Sequence, residues 1–152
     1  MKNRIYHGVI LVAGLFVMLA IAGTSSVQAQ ISIVVANSST HTANGSELKQ
    51  IFSGTKLHWS DGQRIAVVQL SENTTAKPFY ENFIGMSLNQ VRNDWSRLVL
   101  TGQATSPKQC SNDEAVKKVV AGDENAVGFI ASSALDSSVK EIYRVITFSR
   151  GK

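Results

Sequence analysis

The chain has 152 residues, 43% of them apolar, and 15 Lys and Arg against 11 Asp and Glu give it a net charge of +4. That length holds one ordinary domain with a short extension. Taking away Lys2 and Arg4 with the segment described next lowers the charge to +2, so no basic excess argues for a nucleic-acid partner.

Lys2 and Arg4 precede an uncharged, almost wholly apolar run from Gly8 to Gly23, and Val27-Gln28-Ala29 follows with small residues at the outer two positions. This is the pattern of a secretory signal peptide cut after Ala29. The apolar run is slightly short for a spanning helix. The expected product is therefore residues 30–152, soluble after cleavage, periplasmic and without stable membrane insertion. Cys110 is the only cysteine. An exported chain with one thiol has no internal disulfide, and no cysteine near Ala29 is placed to carry a lipid anchor.

Ile31-Ser-Ile-Val-Val-Ala36 is a β-branched run bounded by Asn37-Ser-Ser-Thr40, which predicts a buried strand leading into a polar loop. Asn44-Gly-Ser-Glu47 has capping-box spacing, with Leu48, Ile51 and Phe52 at helical period before Gly54. A second strand over 64–70 leads through Ser71-Glu-Asn-Thr-Thr75 to Phe79, Tyr80, Phe83 and Ile84, an apolar-periodic segment stopping at Gly85. Ser87-Leu-Asn-Gln90 caps a helix whose face carries Leu88, Val91, Trp95, Leu98 and Val99 and which ends near Gly102. Ser111-Asn-Asp-Glu114 predicts the cap of a further helix, with Val116, Val119 and Val120 as its apolar face and Gly122 as its stop. Residues 126–130 and 139–148 are the last strands, separated by a short Ser/Ala-rich turn or helix. Alternating strands and helices without a linker or repeat predict one α/β domain.

The catalytic inventory is poor. Residues 30–152 contain His41, His58 and Cys110 but no His-x-x-x-His, Cys-x-x-Cys or Gly-x-Ser-x-Gly arrangement, so neither an enzyme nor a cofactor or metal is expected. His58 beside Trp59 reads as a turn residue, and Asp123-Glu124 as a solvated loop. The loops that follow the first two strands are rich in hydroxyl groups. In open α/β sheets ligands bind outside the carboxyl ends of the strands, where helix N-termini offer N–H groups to anions. Ser38, Ser39, Asn73, Thr74 and Thr75 are accordingly the candidate anion-binding residues; Asn and Thr are also ordinary helix caps, so the residue types leave both readings open.

Ile51-Phe-Ser-Gly54 and Trp59-Ser-Asp-Gly62, followed by a strand, resemble a landmark segment of the phosphate-type periplasmic substrate-binding proteins of ABC transporters. Phe79-Tyr80 with Phe83, the Trp95 helix, Thr101-Gly102 with Pro107-Lys108, and Val127-Gly128-Phe129-Ile130 resemble further landmarks in the same order, over roughly residues 31–147. The resemblance implies a single three-layer α/β lobe of the type II periplasmic-binding-protein kind with a mixed, mostly parallel sheet. Full-length members close two lobes on phosphate, and this length holds one. Against the family's Arg-x-x-x-Ser-Gly-Thr anion motif, Gln69 stands at the arginine, Asn73 at the serine, Thr74 at the glycine and Thr75 at the threonine. A glutamine gives a neutral hydrogen bond where arginine gives a charged, bidentate one. The implied function is weak binding of phosphate or a related oxyanion, alone or within an assembly, with an ABC permease, a second binding lobe or a homodimer as partner. The alternative is a non-catalytic interaction or sensing protein that keeps the lobe and has lost the ligand site.

Overall fold

A computed structural model describes residues 28–71 and 75–148. The expected α/β domain forms, as one five-stranded sheet with helices on both faces. The elements are β1 (Gln28–Ala36), α1 (Gly45–Ser53), β2 (Ala66–Leu70), α2 (Ala76–Pro78) continuing as a π-helical segment (Phe79–Ile84), α3 (Leu88–Leu100), β3 (Lys108–Cys110), α4 (Asp113–Ala121), β4 (Ala126–Ala131) and β5 (Val139–Phe148). The expected export signal falls almost entirely on residues outside those described; Gln28 and Ala29 open β1.

The strand order is β3-β2-β4-β1-β5. β2 is parallel to both β3 and β4, whereas β1 is antiparallel to β4 and to β5. Four strands therefore point one way and β1 alone runs against them. β1 is nevertheless the most enclosed strand: from Ile31 to Ala36 every residue is buried, including Ser32. A strand covered on both faces reads as a continuous apolar run, which is why this segment shows no alternation.

The helices begin where their capping residues are. Asn44 accepts from the Glu47 amide at 3.0 Å while the Glu47 carboxylate accepts from the Asn44 amide at 3.1 Å, a complete capping box. Ser87 caps α3 as expected. α4 is capped by Asn112, one residue later than the Ser111 spacing suggests, with its side chain accepting from Ala115 at 2.8 Å. α1 stops at Gly54, whose φ of 83° is a left-handed cap that also lets the α3 residues Trp95 and Leu98 close on it. The segment from Phe79 to Ile84 is π-helical rather than α-helical, and the three-residue β3 is too short for a periodicity to announce it.

One face of the sheet packs on α4. There Gly128 is the contact point: a Cβ at this position would lie 2.8 Å from Val116 Cγ1 and 3.1 Å from Val120 Cγ2. The other face carries an aromatic cluster in which Phe129 stacks on Phe79 at 3.9 Å and meets the edges of Phe52 and Tyr80. α3 covers that cluster from outside, and the Trp95 indole donates to the Phe52 carbonyl at 3.0 Å.

Candidate functional site

The direction of β1 decides which candidate residues can act together. Val35 pairs with Val127 at the start of β4, and Ala66 pairs with Ala126, so the carboxyl end of β1 lies at the amino end of β2. Ser38 and Ser39 consequently leave the sheet at the end opposite Thr75. Ser38 and Ser39 therefore do not come together with Thr75, because one of the two strands they follow is reversed.

At the amino end of β2, Ser39 is committed to shaping its own loop. It is 3% exposed; its amide donates to the Ala36 carbonyl at 3.0 Å, its hydroxyl accepts from the His41 amide at 3.3 Å, and its carbonyl takes the Lys140 ammonium. Asn37 donates to the Ser137 carbonyl, and Ser38 is exposed. Nearby the His41 ring stacks on Trp59 at 4.5 Å, and Asn125 holds both, accepting the Trp59 indole N–H at its carbonyl and facing His41 Nε2 at 3.0 Å. Trp59 is thus a buried pillar of the fold. His58 bridges to Arg64 across the adjacent turn, and the exposed Asp123-Glu124 loop is tied by Asp123 accepting from the Asn125 amide. A cavity of about 340 Å³ also opens at this end, between Lys108 and Thr105 on one side and Asp123 and Val119 on the other.

The carboxyl end of β2 is different in kind. Gln69 is 5% exposed and accepts from Gln109 of β3 at 2.7 Å, which leaves its Nε2 buried with no hydrogen-bond partner. Buried polar atoms are nearly always paired, so a donor left over at the mouth of a parallel sheet calls for an acceptor. The Ser71 amide donates to the Cys110 carbonyl at 2.8 Å. Asn73 and Thr74 lie outside the described residues. Thr75 stands immediately before α2, already in helical conformation rather than in the extended conformation of a side-chain cap.

Two more polar atoms are left over near this end. Asp113 opens α4 directly after β3; one carboxylate oxygen is buried without a partner, and burial raises its pKa despite a hydrogen bond from the Ala131 backbone at the end of β4. The Tyr80 hydroxyl is the third such atom. Sequence periodicity places Tyr80 in the core, where it is, but only the structure shows its oxygen unpaired; the available signal was that a buried tyrosine normally needs a partner for its O–H. Among the described residues no group of three His, Cys, Asp or Glu side chains is arranged to hold a metal, and no helix is long and apolar enough to cross a membrane.

A mixed sheet with one reversed strand, flanked by helices, has the architecture of a single lobe of the periplasmic-binding-protein fold. No protein-family model matches the chain, and no curated protein matches it by sequence. Solved structures do. A putative phosphate ABC transporter substrate-binding protein with bound phosphate from Clostridium perfringens superimposes with a TM-score of 0.61 at 20% identity, over 76% of this chain and 44% of that one. An ABC-type phosphate transport receptor from Vibrio cholerae gives 0.58 at 22% identity, over 76% and 46%, and PstS from Borrelia burgdorferi 0.53 at 10%, over 69% and 41%. The chain thus spans less than half the length of each of these structures, and what it shares with them is the fold.

Proposed function

We propose that the chain is a periplasmic solute-binding module for phosphate or a related small oxyanion, held at the turn after β2. The observation that carries this reading is the Gln69 Nε2 donor, buried and unpartnered at the carboxyl end of β2. Gln109 takes the carboxamide oxygen, so the group faces its site as a donor, which is what an oxyanion requires. Backbone amides and hydroxyls of residues 73–75 complete the set. The likeness to a structure holding phosphate supports the choice of ligand class.

The module binds weakly by itself. A neutral carboxamide gives about half the strength of a charge-assisted bond, and a single lobe leaves one side of the anion in water. A second lobe, a second copy or an ABC permease would supply the missing side. The residues present support binding and transport rather than catalysis. Isothermal titration of the full chain with phosphate and sulfate in low-salt buffer should give saturable heat in the micromolar to millimolar range; no heat at 10 mM of either anion (roughly ten times a millimolar Kd) overturns the reading.

A further inference from the structure

The cavity at the amino end of β2 lies at the other end of the sheet from the proposed oxyanion site, and its chemistry is different. It holds about 340 Å³, at the small end of the range for ligand pockets. Paired residues of neighbouring strands share a face, so Lys108, opposite Val68, and Ala126, opposite Ala66, lie together on the α4 side of the sheet. Ala66, Val68 and Ala126 give the cavity a hydrocarbon floor, and Val119 of α4 continues it up one wall.

Unlike charges stand on its two sides. Lys108 forms one rim with the hydroxyls of Thr105 and Ser106, and Asp123 forms the other, all four of them exposed. Asp123 follows Gly122, the cap of α4, and the carboxyl end of that helix adds partial negative charge to the same wall. One oxygen of Asp123 accepts from the Asn125 amide at 2.9 Å, and among the described residues neither Asp123 nor Lys108 enters an ion pair. The two charges share one cavity without meeting, so its apolar floor lies between them. A simple anion is repelled by Asp123, and a simple cation by Lys108. An apolar molecule leaves both rims to water. The complement is a cation and an anion joined by a short stretch of hydrocarbon. We infer that this cavity binds a small aliphatic zwitterion with its charges at opposite ends, an ω-amino acid: the ammonium on Asp123 and the carboxyl end of α4, the carboxylate on Lys108 with Thr105 and Ser106, and the methylenes over Ala66, Val68 and Val119. Ion pairs at a wet rim contribute little each, so the Kd is on the order of a millimolar.

Amide spectra of the full chain titrated with δ-aminovalerate test the assignment. The cross-peaks of Thr105, Lys108, Val119 and Asp123 should move and saturate while that of Tyr80, at the other end of the sheet, stays in place. Valerate and pentylamine, each with one of the two charges, should bind about fivefold more weakly or worse, as should L-norvaline, whose charges sit at one end. Lys108→Gln and Asp123→Asn should each weaken δ-aminovalerate by a similar factor; Lys118→Gln, an equal change of charge on α4 outside the cavity, should stay within twofold of wild type. No movement at about 10 mM, roughly ten times that Kd, overturns the inference, and so does equal affinity for norvaline or binding unchanged in both rim variants. None of these results bears on the oxyanion reading, which phosphate titration tests at the opposite end.

Discussion

Restoring an arginine at position 69 asks the sharpest question of the carboxyl end of β2. Gln69 is 5% exposed and its side-chain hydrogen bond runs to the neutral Gln109, so a guanidinium placed there by Gln69→Arg is largely dehydrated and loses that bond, with Asp113 near the same end of the sheet as the one acid described there and no hydrogen bond from position 69 to it. An uncompensated buried charge costs about 3–5 kcal/mol. For a domain of this size about 4 °C is lost per kcal/mol, so the variant should melt roughly 12–20 °C below wild type in phosphate-free buffer. Phosphate reverses the sign of the change. Exchanging a neutral bond for a charge-assisted, bidentate one adds about 2 kcal/mol to binding, on the order of a thirtyfold lower Kd. Phosphate at a hundred times that Kd should return about 2.7 kcal/mol of stability, or roughly 10 °C. Thermal melts followed by circular dichroism across a phosphate series, with sulfate and chloride series beside it, measure both numbers. A variant that melts at the wild-type temperature and ignores phosphate would show that position 69 does not face a confined polar site, and the reasoning from its unpaired donor would fail with it.

Other expectations follow from the packing and the charges. Gly128→Ala forces a methyl to within 2.8 Å of Val116 Cγ1, and a β-branched side chain on a helix has no second rotamer to retreat into, so α4 must lift from the sheet; urea unfolding should show a loss of about 1–3 kcal/mol, with Val116→Ala recovering part of it in the double mutant and simple additivity counting against the contact. Trp95→Phe strands the buried Phe52 carbonyl and should cost about 1–3 kcal/mol on the same measurement. Acid should destabilise the chain. Hydrogen bonds from Lys117 and Ser138 hold Asp136 far below its ordinary pKa, and Lys56 and Asn44 lower Glu47; burial raises Glu141, but Arg144 and Ser32 more than reverse it. A lowered folded-state pKa contributes stability that is present above the unfolded value and lost as pH falls through it, so the midpoint of urea unfolding should drop below about pH 4.5. Asp113, raised by burial, works in the opposite sense and is outnumbered. Lys117→Met should shallow this acid slope, and an unchanged slope would show that its bridge to Asp136 is not the cause.

The local content of the fold was legible because it is written in local patterns. The capping box at Asn44, the stop at Gly54 and the apolar face of α3 depend on residues within a few positions of one another, and each forms as its spacing predicts except at Val99, which the last turn of α3 leaves exposed. The polarity of β1 could not be read this way: a run of buried β-branched residues looks the same in either direction, and only pairing with β4 and β5, about a hundred positions along the chain, fixes it. That one unreadable property separates Ser38 and Ser39 from the turn after β2. Gln69 was visible as the residue standing at a family arginine, but its orientation comes from Gln109 on a strand too short to announce itself. Tyr80 reads as a core residue and is one, but that its hydroxyl is left without a partner is a product of tertiary packing that periodicity does not carry. Lys117 escaped for a related reason: a lysine in α4 is expected to be solvated, yet its ammonium is drawn to Asp136 and the Ala134 carbonyl beyond β4.

The reversed first strand also sets the order of assembly. β1 is made before the other described strands, yet the two strands that enclose it are the last two of the described residues, with Gln30 paired to Ile146 from one end of the domain to the other. A sheet closed by its two ends cannot be assembled progressively as the chain emerges, and contacts of this sequence separation make folding slow. Until β4 and β5 arrive, Ile31-Ser-Ile-Val-Val-Ala36 is an uncovered apolar strand of the type that pairs with other chains. Truncation before β5 should therefore yield an aggregating chain rather than a smaller lobe, and whatever escorts the nascent protein must shield its first strand until its last one is made.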